Sequence, residues 1–586
     1  MRRARLPLLV AAASLLAACT GSVSHPNPGD DDDDDGDDAP AAPDAAIDPP
    51  PACTPACAAD ELCDSATHTC SAIAAGDFVV DVSSSPRPIH PEIYGLAFAD
   101  DATLRDLRAT VNRWGGNGVT LYNWKLDTGN TASDWYYENI PNNAGDASYG
   151  TAAYRSAADR FFETNHGAGV DTLFVVPTIG FTVKDRPAGH PYTCGFPVSR
   201  YGAQQSVDPY DTNCGNGKDP SGTLLTPDPT NDSTAAPPAF EGEWLAHLTA
   251  RYGAASAGGV RYYSLDNEMM LWDSTHRDVH PDAVTYDEVW KATTDYAPAI
   301  RAADPSAFLL GYGSWGVLDL FQSGKDATTN YADRHAHGDV PLAKWYLQQL
   351  AAYDAAHGQR LVDCLDIHYY PQGGDSLENT ASLWDASYHD PSWIDGWLGE
   401  PVRLLPRMQE WIAEAYPGTA MCITEYNFNL NDPDATGAAL AEADALGLFG
   451  KYGVRLATYW TTPVGDGGVK HGAYWGFRML RNFDGAGGAF AEVSVGAASA
   501  TPGVAVYAAT DAATAKVTVL LINKTAAPVS GTLHLQGFTA GAAASVYTYA
   551  AGATAITHAP DVAVAAGAAP VALAAHSMAM FVVSKP

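Results

Sequence analysis

The sequence predicts an α/β protein: a (β/α)8 TIM-like barrel plus a β-sandwich domain formed from both ends of the globular region. Three observations support this prediction. Short apolar runs alternate with amphipathic stretches eight times within residues 91–483. Alternating Val-, Thr- and Ala-rich runs fill residues 484–586. A lone strand-like run around Phe78, within residues 77–90, has no early partner, so we expect it to join that sandwich.

Ahead of the globular region, the first 19 residues have the pattern of an export signal. Three arginines precede an apolar run over residues 6–18, which is too short to span a bilayer as a stable helix. The run ends in Leu16-Ala-Ala-Cys19, which resembles the lipobox of bacterial lipoproteins. We therefore expect residues 1–19 to be a lipoprotein signal peptide and Cys19 to carry the lipid. Because Thr20 and not Asp follows, outer-membrane sorting to the cell surface is favoured; a plain secretory signal is the alternative.

Residues 20–52 are predicted to be an acidic Pro/Asp-rich linker, and residues 53–70 a small Cys-rich module. Eight aspartates lie within residues 30–38, a run that repels itself and favours a solvated spacer over a calcium site. The module holds Cys53, Cys57, Cys63 and Cys70, which allow three pairings. Export to an oxidising compartment favours disulfides between these cysteines. A zinc site is the alternative, but no suitable His pattern accompanies the cysteines.

The remaining four cysteines lie in the globular region. Cys194 and Cys214 bracket a Gly/Pro/Asn-rich stretch, and we expect a disulfide between them to staple one long loop. Cys364 and Cys422 each lie in a predicted strand. They are buried thiols or, if those strands are neighbours, a disulfide; the sequence leaves both open.

The barrel prediction depends on eight strand-like runs separated by amphipathic segments. The runs cover residues 93–98, 110–114, 172–177, 260–265, 308–312, 365–370, 421–424 and 455–460. Helices are expected over residues 153–166, 241–252, 289–303 and 402–416, among others. An open doubly wound sheet is the rival, but no glycine-rich phosphate-binding motif follows the first strand. In a barrel of this kind, functional residues lie at the C-terminal ends of the strands.

The sandwich prediction rests on short alternating strands separated by Gly and Asn. They are expected over residues 516–523, 530–535, 544–549 and 577–583. The net charge of −35 over the whole chain, part of it in the acidic linker, argues against nucleic acid and anionic membrane surfaces as partners.

Two of the eight strands end in a carboxylate, Glu268 on the fourth and Glu425 on the seventh. A lone Glu after an apolar run is more often a surface cap than a catalyst. A pair on strand ends that a barrel gathers together is different, because cleavage of a glycosidic bond needs two carboxyls. One carboxyl protonates the leaving oxygen, and the other attacks the sugar or assists water.

The other strand ends are rich in aromatic and amide side chains. Aromatic rings suit the flat C–H faces of sugars, while Asn, Asp, His and Arg suit the hydroxyl rim. These segments are Asn112-Arg-Trp-Gly-Gly-Asn117, Tyr122-Asn-Trp-Lys125, Asp134-Trp-Tyr-Tyr-Glu-Asn139, His368-Tyr-Tyr370 and Tyr459-Trp460. For any single Trp, plain core packing is as good an explanation as a sugar contact. Together the segments favour a polysaccharide groove.

Several ordered motifs resemble glycoside hydrolase family 44. They are Arg113-Trp-Gly-Gly-Asn117, Tyr122-Asn-Trp124, Ser133-Asp-Trp135, Leu265-Asp-Asn-Glu268 and Ile423-Thr-Glu-Tyr-Asn427, and the resemblance runs from about residue 77 to 586. It implies a retaining endo-β-1,4-glucanase or xyloglucanase, with Glu268 as acid/base and Glu425 as nucleophile. The family usually has Asn-Glu-Pro after the fourth strand; here Met269 replaces the Pro. A non-catalytic surface carbohydrate-binding protein and a xylanase or mannanase on the same fold are the alternatives.

The resemblance also implies roles for neighbouring residues. Arg113 and Tyr370 would hold Glu425 in place. Asn267 would hydrogen-bond the 2-hydroxyl of the sugar, and the Trp460 ring would lie under that sugar. His368 is either catalytic or structural. The full set of predicted substrate-binding residues is Arg113, Trp114, Asn117, Trp124, Trp135, Asn267, His368, Tyr370 and Trp460. No cofactor is required, no metal ligands stand out, and structural calcium is an expectation drawn from the family. The expected partners are β-glucan polysaccharide and, through the lipid on Cys19, a membrane; we expect a monomer.

Overall fold

The computed structural model describes residues 61–64, 69–74, 76–372, 376–428 and 436–586. The predicted signal peptide, the linker and the first part of the Cys-rich module, including Cys19, Cys53 and Cys57, lie outside the described residues. The module's described part is an antiparallel hairpin of β1 (Glu61–Asp64) and β2 (Thr69–Ala72), in which Cys63 lies opposite Cys70. Cys70 is disulfide-bonded.

Two strands, β3 (Asp77–Asp81) and β4 (Arg87–Pro88), lead into the barrel. Eight parallel strands then close into one barrel in chain order, and the sequence predicted all eight. They are β5 (Gly95–Ala97), β6 (Val111–Trp114), β9 (Asp171–Val176), β12 (Tyr262–Leu265), β13 (Phe308–Ser314), β14 (Cys364–Tyr369), β15 (Ala420–Tyr426) and β16 (Leu456–Tyr459).

Helices cover the outside of the barrel, and short hairpins lie in its loops. The helices are α1 (Asp101–Leu107), α2 (Ala157–Gly167), α3 (Val198–Tyr201), α4 (Pro238–Tyr252), α5 (Trp272–Thr275), α6 (Tyr286–Ala303), α7 (Asp326–Thr329), α8 (Ala332–Ala336), α9 (Leu342–His357), α10 (Ser376–Asn379), α11 (Trp393–Leu398), α12 (Leu404–Ala415), α13 (Thr436–Tyr452) and α14 (Gly472–Arg481). The hairpin strands are β7 (Thr128–Asn130), β8 (Asn139–Pro141), β10 (Phe181–Val183), β11 (Ser233–Ala235), β17 (Val464–Gly465) and β18 (Val469–Lys470). Within the described part of the chain, no helix is both long and apolar enough to cross a bilayer.

An apolar layer fills the N-terminal end of the barrel. It consists of Val111, Leu173, Tyr262, Leu310, Cys364, Cys422 and Leu456, all with no exposed surface. Within this layer Cys364 and Cys422, on the neighbouring strands β14 and β15, form a disulfide. The sequence left open whether these two cysteines are free thiols or a disulfide. They form a disulfide because their strands are neighbours in the barrel. The expected Cys194–Cys214 disulfide is present as well.

The β-sandwich combines both ends of the described chain, as predicted. Its C-terminal strands are β19 (Val493–Ser499), β20 (Val504–Thr510), β21 (Lys516–Asn523), β22 (Val529–Gln536), β23 (Ala543–Ala550), β24 (Thr557–Ala563), β25 (Ala568–Leu573) and β26 (Ser577–Ser584). The N-terminal β3 lies between β19 and β22, antiparallel to the first and parallel to the second. Phe78 and Val80 on β3 have no exposed surface and pack into the sandwich core.

Candidate active site

The candidate site lies at the C-terminal ends of the barrel strands. Glu425 is in β15, and Glu268 follows β12 after Asp266 and Asn267. His368 is in β14, with Tyr370 just after it, and Arg113 is in β6. Because parallel strands bring their C-terminal ends to one rim, residues more than 300 positions apart in sequence, such as Arg113 and Glu425, meet here.

Glu425 is held by two donors. Arg113 Nη1 donates to its Oε1 at 2.6 Å, and the Tyr370 hydroxyl donates to its Oε2 at 2.8 Å. The Arg113 side chain is fully buried and that of Glu425 is 6% exposed. Burial alone would raise the pKa of Glu425, but the cations of His368 and Arg113 outweigh it and place the pKa below its ordinary value. Glu425 is therefore an ionised carboxylate.

Glu268 has the opposite character. Burial raises its pKa, and the charge of Glu425 adds to this, against the opposing contact with His368. One oxygen of Glu268, one oxygen of Glu425 and a ring nitrogen of His368 all lie within 4.8 Å of one another. Glu268 thus holds its proton more tightly than a free carboxyl does, beside the ionised Glu425, which is the usual outcome for two carboxyls in one site.

The backbone at Glu268 is fixed even though Met269 replaces the proline typical of the family. Glu268 has a positive φ of 47°, which is uncommon for a residue with a side chain. Its N–H donates to the Gly313 carbonyl at 2.9 Å, and its own carbonyl accepts from the Leu271 N–H at 2.8 Å. Met269 is fully buried and begins the short 3-10 turn Met269–Leu271. These contacts determine the direction in which Glu268 points.

His368 lies beneath the two carboxyls. Its Nδ1 is 3.0 Å from Glu268 Oε1 and 3.5 Å from Glu425 Oε2. Burial lowers the pKa of His368, but the two glutamates outweigh it and raise the pKa above its ordinary value. The side chain is only 1% exposed, so His368 acts on the carboxyls and not on a bound sugar. The same holds for Arg113, which the sequence had also placed among the substrate-binding residues.

Two asparagines extend the network toward the cleft. Arg113 Nη2 donates to Asn267 Oδ1 at 2.8 Å, and Asn267 Nδ2 donates to Asn117 Oδ1 at 3.3 Å. Asn117 Nδ2 in turn donates to Asp134 at 3.2 Å. Arg113 thus connects Asn267 and Glu425, the candidate 2-hydroxyl ligand and the candidate nucleophile.

Trp460 and Phe98 form an aromatic surface beside this network. The guanidinium carbon of Arg113 is 5.5 Å from the Trp460 ring centroid, and the Phe98 ring is 6.0 Å from it. Gly116 adopts φ +83°, and a Cβ there would be 2.7 Å from Trp460, so only glycine fits. Phe98 follows β5, has a φ of 53° and is 42% exposed. Phe98 was not among the predicted site residues, although its position as an aromatic residue at the end of a barrel strand could have indicated a sugar contact.

Of the three remaining predicted substrate-binding tryptophans, Trp114 lies behind Phe98 with ring centroids 5.9 Å apart, and Trp124 and Trp135 make their ring contacts with other residues. Trp114 is 9% exposed and packs edge-on against Phe161 in the core. Trp124 donates from Nε1 to the Phe240 carbonyl at 3.1 Å, against α4. Trp135 packs against Tyr136 with ring centroids 5.4 Å apart, one residue after Asp134.

A second group of carboxyls fits the expected structural calcium. Glu138 is 1% exposed, and its Oε1 has no partner among the residues that the structure describes. Burial and the adjacent Asp208 and Asp211 raise the pKa of Glu138 to about 9. Oxygen donors of this kind suit Ca²⁺, which would relieve their repulsion. At Glu268 and Glu425, by contrast, Arg113 and His368 already supply the positive charge.

Comparisons with known proteins agree with this architecture. The model of glycoside hydrolase family 44 matches residues 128–373. Endoglucanase A of Paenibacillus lautus is 28% identical in a 501-residue alignment that covers 78% of this chain and 65% of that protein. The chain therefore spans about two thirds of the length of this relative.

Two solved structures extend the comparison. The crystal structure of CelM2, a bifunctional glucanase-xylanase from a metagenome library, is 35% identical with a TM-score of 0.81, covering 87% of this chain and 99% of that one. A family 44 xyloglucanase from Paenibacillus polymyxa shares the fold at 23% identity, with a TM-score of 0.71 and the same coverage. The chain belongs to glycoside hydrolase family 44.

Proposed function

We propose that this protein is a retaining, endo-acting glycoside hydrolase that cleaves β-1,4-glucan. One observation carries the proposal: two carboxyls with oppositely shifted pKa values, Glu268 and Glu425, have oxygens within 4.8 Å at the rim of the barrel. Retaining enzymes hold their two carboxyls about 5–5.5 Å apart, closer than the spacing that leaves room for an attacking water.

In the first step, the ionised Glu425 attacks the anomeric carbon of the sugar. A covalent glycosyl–enzyme bond forms, the bond to the leaving oxygen breaks, and Glu268 gives that oxygen its proton. Asn267, held by Arg113, is placed to bond the 2-hydroxyl, a contact that strengthens in the transition state. Trp460 and Phe98 offer an apolar surface for the sugar ring.

In the second step, Glu268 acts as the base. Once Glu425 is esterified its negative charge is gone, so the pKa of Glu268 falls. The Glu268 carboxylate then takes a proton from water, the water oxygen attacks the anomeric carbon, and Glu425 leaves as a carboxylate. Two inversions at one carbon give net retention.

The substrate proposal is cellulose or xyloglucan, supported by the names of the endoglucanase and xyloglucanase relatives. The glucanase-xylanase relative makes xylan a second candidate. Calcium bound by Glu138, Asp208 and Asp211 would hold its loop in place and would take no part in the reaction.

The proposal is tested by measuring release of reducing ends from carboxymethyl cellulose, xyloglucan, xylan and mannan. We expect activity on at least one of the two glucans, and a loss of at least about 10⁴-fold for Glu425→Gln. Product anomers followed by NMR should begin as β. Unchanged activity in the variant contradicts the nucleophile assignment, and binding without hydrolysis by the wild type favours a carbohydrate-binding protein.

We further propose that the protein is an exported lipoprotein anchored through Cys19. The support is the sequence of residues 1–19 alone. Cys19→Ala should move the protein from the membrane fraction to the soluble fraction, whereas Thr20→Ser, a control beside the site, should not. Membrane retention of Cys19→Ala contradicts the anchor.

A further inference from the structure

Beneath the catalytic pair, a chain of buried polar groups continues into the barrel. His368 Nε2 is 3.1 Å from Thr424 Oγ1. The Thr424 hydroxyl donates to Asp366 Oδ2 at 2.9 Å, and its N–H donates to Asp366 Oδ1 at 3.2 Å. The Ser264 hydroxyl also donates to Asp366 Oδ2, at 2.8 Å. Sequence analysis assigned no role to Thr424, Asp366 or Ser264, and all three are at most 1% exposed.

The hydrogen-bond directions in this chain fix the tautomer of His368. Asp366 receives three donors, so it acts as an acceptor throughout. Because the single proton of the Thr424 hydroxyl is directed to Asp366, its oxygen must accept from His368 Nε2, which therefore carries hydrogen. A neutral His368 would then present a bare Nδ1 to Glu268.

The protonation state of Nδ1 decides where Glu268 keeps its acid proton. Against a bare Nδ1, the Glu268 carboxyl would donate its proton to His368, away from the substrate. Against an imidazolium, Nδ1–H donates to Glu268 Oε1, and the acid proton is left on Oε2. Within the described parts of the chain, Glu268 Oε2 makes no hydrogen bond, unlike Oε1, so its proton is available to a leaving oxygen.

We propose that Asp366 and Thr424 are positioning residues that hold His368 as an imidazolium and thereby direct the acid proton of Glu268 toward the substrate. This inference rests on the proposed function. Glu425 and Asp366 face His368 and favour the cation as carboxylates, and Arg113 opposes it. Burial raises the pKa of Asp366, while His368 and the Thr424 and Ser264 hydroxyls lower it. Glu268, which carries the acid proton, accepts from His368 Nδ1–H through Oε1. Asp319 also lies near, but burial raises its pKa to about 8, which leaves it uncharged at neutral pH.

The first test is Asp366→Asn, which keeps a hydrogen-bonding group and removes the charge. Its charge acts across one hydroxyl, so we expect the pKa of His368 to fall by about 1–2 pH units. The basic limb of kcat/KM on β-glucan should move to lower pH by a similar amount. At a pH above the lowered pKa, activity on glucan should fall about tenfold or more, while a dinitrophenyl cellobioside, whose leaving group needs no proton, should lose less than about threefold.

Two matched variants separate positioning from folding. Thr424→Ser keeps the hydroxyl and should keep the wild-type pH profile. Thr458→Val removes another buried barrel hydroxyl, which donates to the Thr424 carbonyl. This variant should change neither the basic limb of kcat/KM nor the ratio of activity on glucan to activity on the dinitrophenyl cellobioside. Equal losses on both substrates in Asp366→Asn, or an unmoved basic limb, overturn the proposal.

A substrate-free measurement keeps this inference distinct from the proposed function. With ¹⁵N-labelled histidine, His368 is assigned by comparison with His368→Gln and titrated by NMR. Wild type should show the imidazolium at neutral pH, and Asp366→Asn should titrate at lower pH to the Nε2–H tautomer. Thr424→Val removes the acceptor at Nε2 and should give the Nδ1–H tautomer. A neutral His368 in wild type at pH 6 overturns the inference, whether or not any glucan is hydrolysed.

Discussion

The guanidinium of Arg113 bonds residues that follow or belong to two other strands, with one nitrogen on Glu425 and another on Asn267. A planar fork of donors makes both bonds at once, which a lysine ammonium does less well. The charge also helps to keep the pKa of Glu425 low, after burial has pushed it upward. Arg113 therefore contributes to both the ionisation and the position of Glu425, the proposed nucleophile.

Replacing Arg113 tests both contributions. In Arg113→Met the pKa of Glu425 should rise, so the acid limb of kcat/KM moves to higher pH, because Glu425 attacks only when ionised. Loss of a buried charge-assisted hydrogen bond, about 1.5–3 kcal/mol, should lower kcat/KM about 10–100-fold. Arg113→Lys keeps the charge and should shift the limb less. An unmoved acid limb in Arg113→Met contradicts the electrostatic role.

Among the elements, β14 and β15 carry most of the site at one end and a disulfide at the other. Glu425, His368, Asp366 and Thr424 all lie on these two strands, and their register shifts between Ile367 and His368. That irregularity brings His368 opposite Glu425. The Cys364–Cys422 disulfide closes a sequence separation of 58 residues at the strands' N-terminal ends.

This disulfide should stabilise the protein without affecting catalysis. The double variant Cys364→Ala/Cys422→Ala should lose about 2–4 kcal/mol of unfolding free energy, measured by urea denaturation. Activity at 25 °C should stay within about twofold, because the bridge lies at the barrel end opposite the site. A large loss of activity with an unchanged midpoint would contradict this separation of roles.

In the whole molecule, the barrel and the sandwich are joined by side chains as well as by the chain. Asp444 on α13 accepts from the Tyr507 hydroxyl at 2.7 Å and from Lys524 at 2.5 Å, both on the sandwich side. Trp475 on α14 stacks on Tyr549 at 5.6 Å. Since β3 lies inside the sandwich sheet, the sandwich is complete only when the segment before the barrel is present.

Truncation tests this dependence on β3. Removing residues 1–76 should leave the melting temperature and activity close to those of the full chain, because β3 remains. Removing residues 1–81 takes away Phe78 and Val80 and leaves β19 and β22 without their shared partner. Truncating a single buried Phe to Ala costs about 3–5 kcal/mol, and this deletion removes more than that, so Tm should fall by several degrees or the protein should aggregate. Equal stability of the two truncations contradicts the central position of β3.

The amino-acid pattern was enough to predict the eight barrel strands, the sandwich and the meeting of Glu268 and Glu425 at the barrel rim. Strand burial appears as local apolar runs, and in a parallel barrel the residue after each run must lie at the rim. Glu268 and Glu425 could therefore be placed together from their positions alone, and the family motifs named their neighbours.

The contacts made across strands could be read only from the folded chain. In the folded chain, His368 lies beneath both carboxyls, Trp114 and Trp124 point away from them, and Phe98 is exposed. Cys364 pairs with Cys422, and Glu138 lies beside Asp208 and Asp211. Such contacts depend on sheet register, on irregularities such as the shift at His368, and on how long loops return. Sheet register, strand irregularities and loop paths leave no periodic signal in the sequence. They depend on how distant segments of the chain pack together, and not on the residues next to them in sequence.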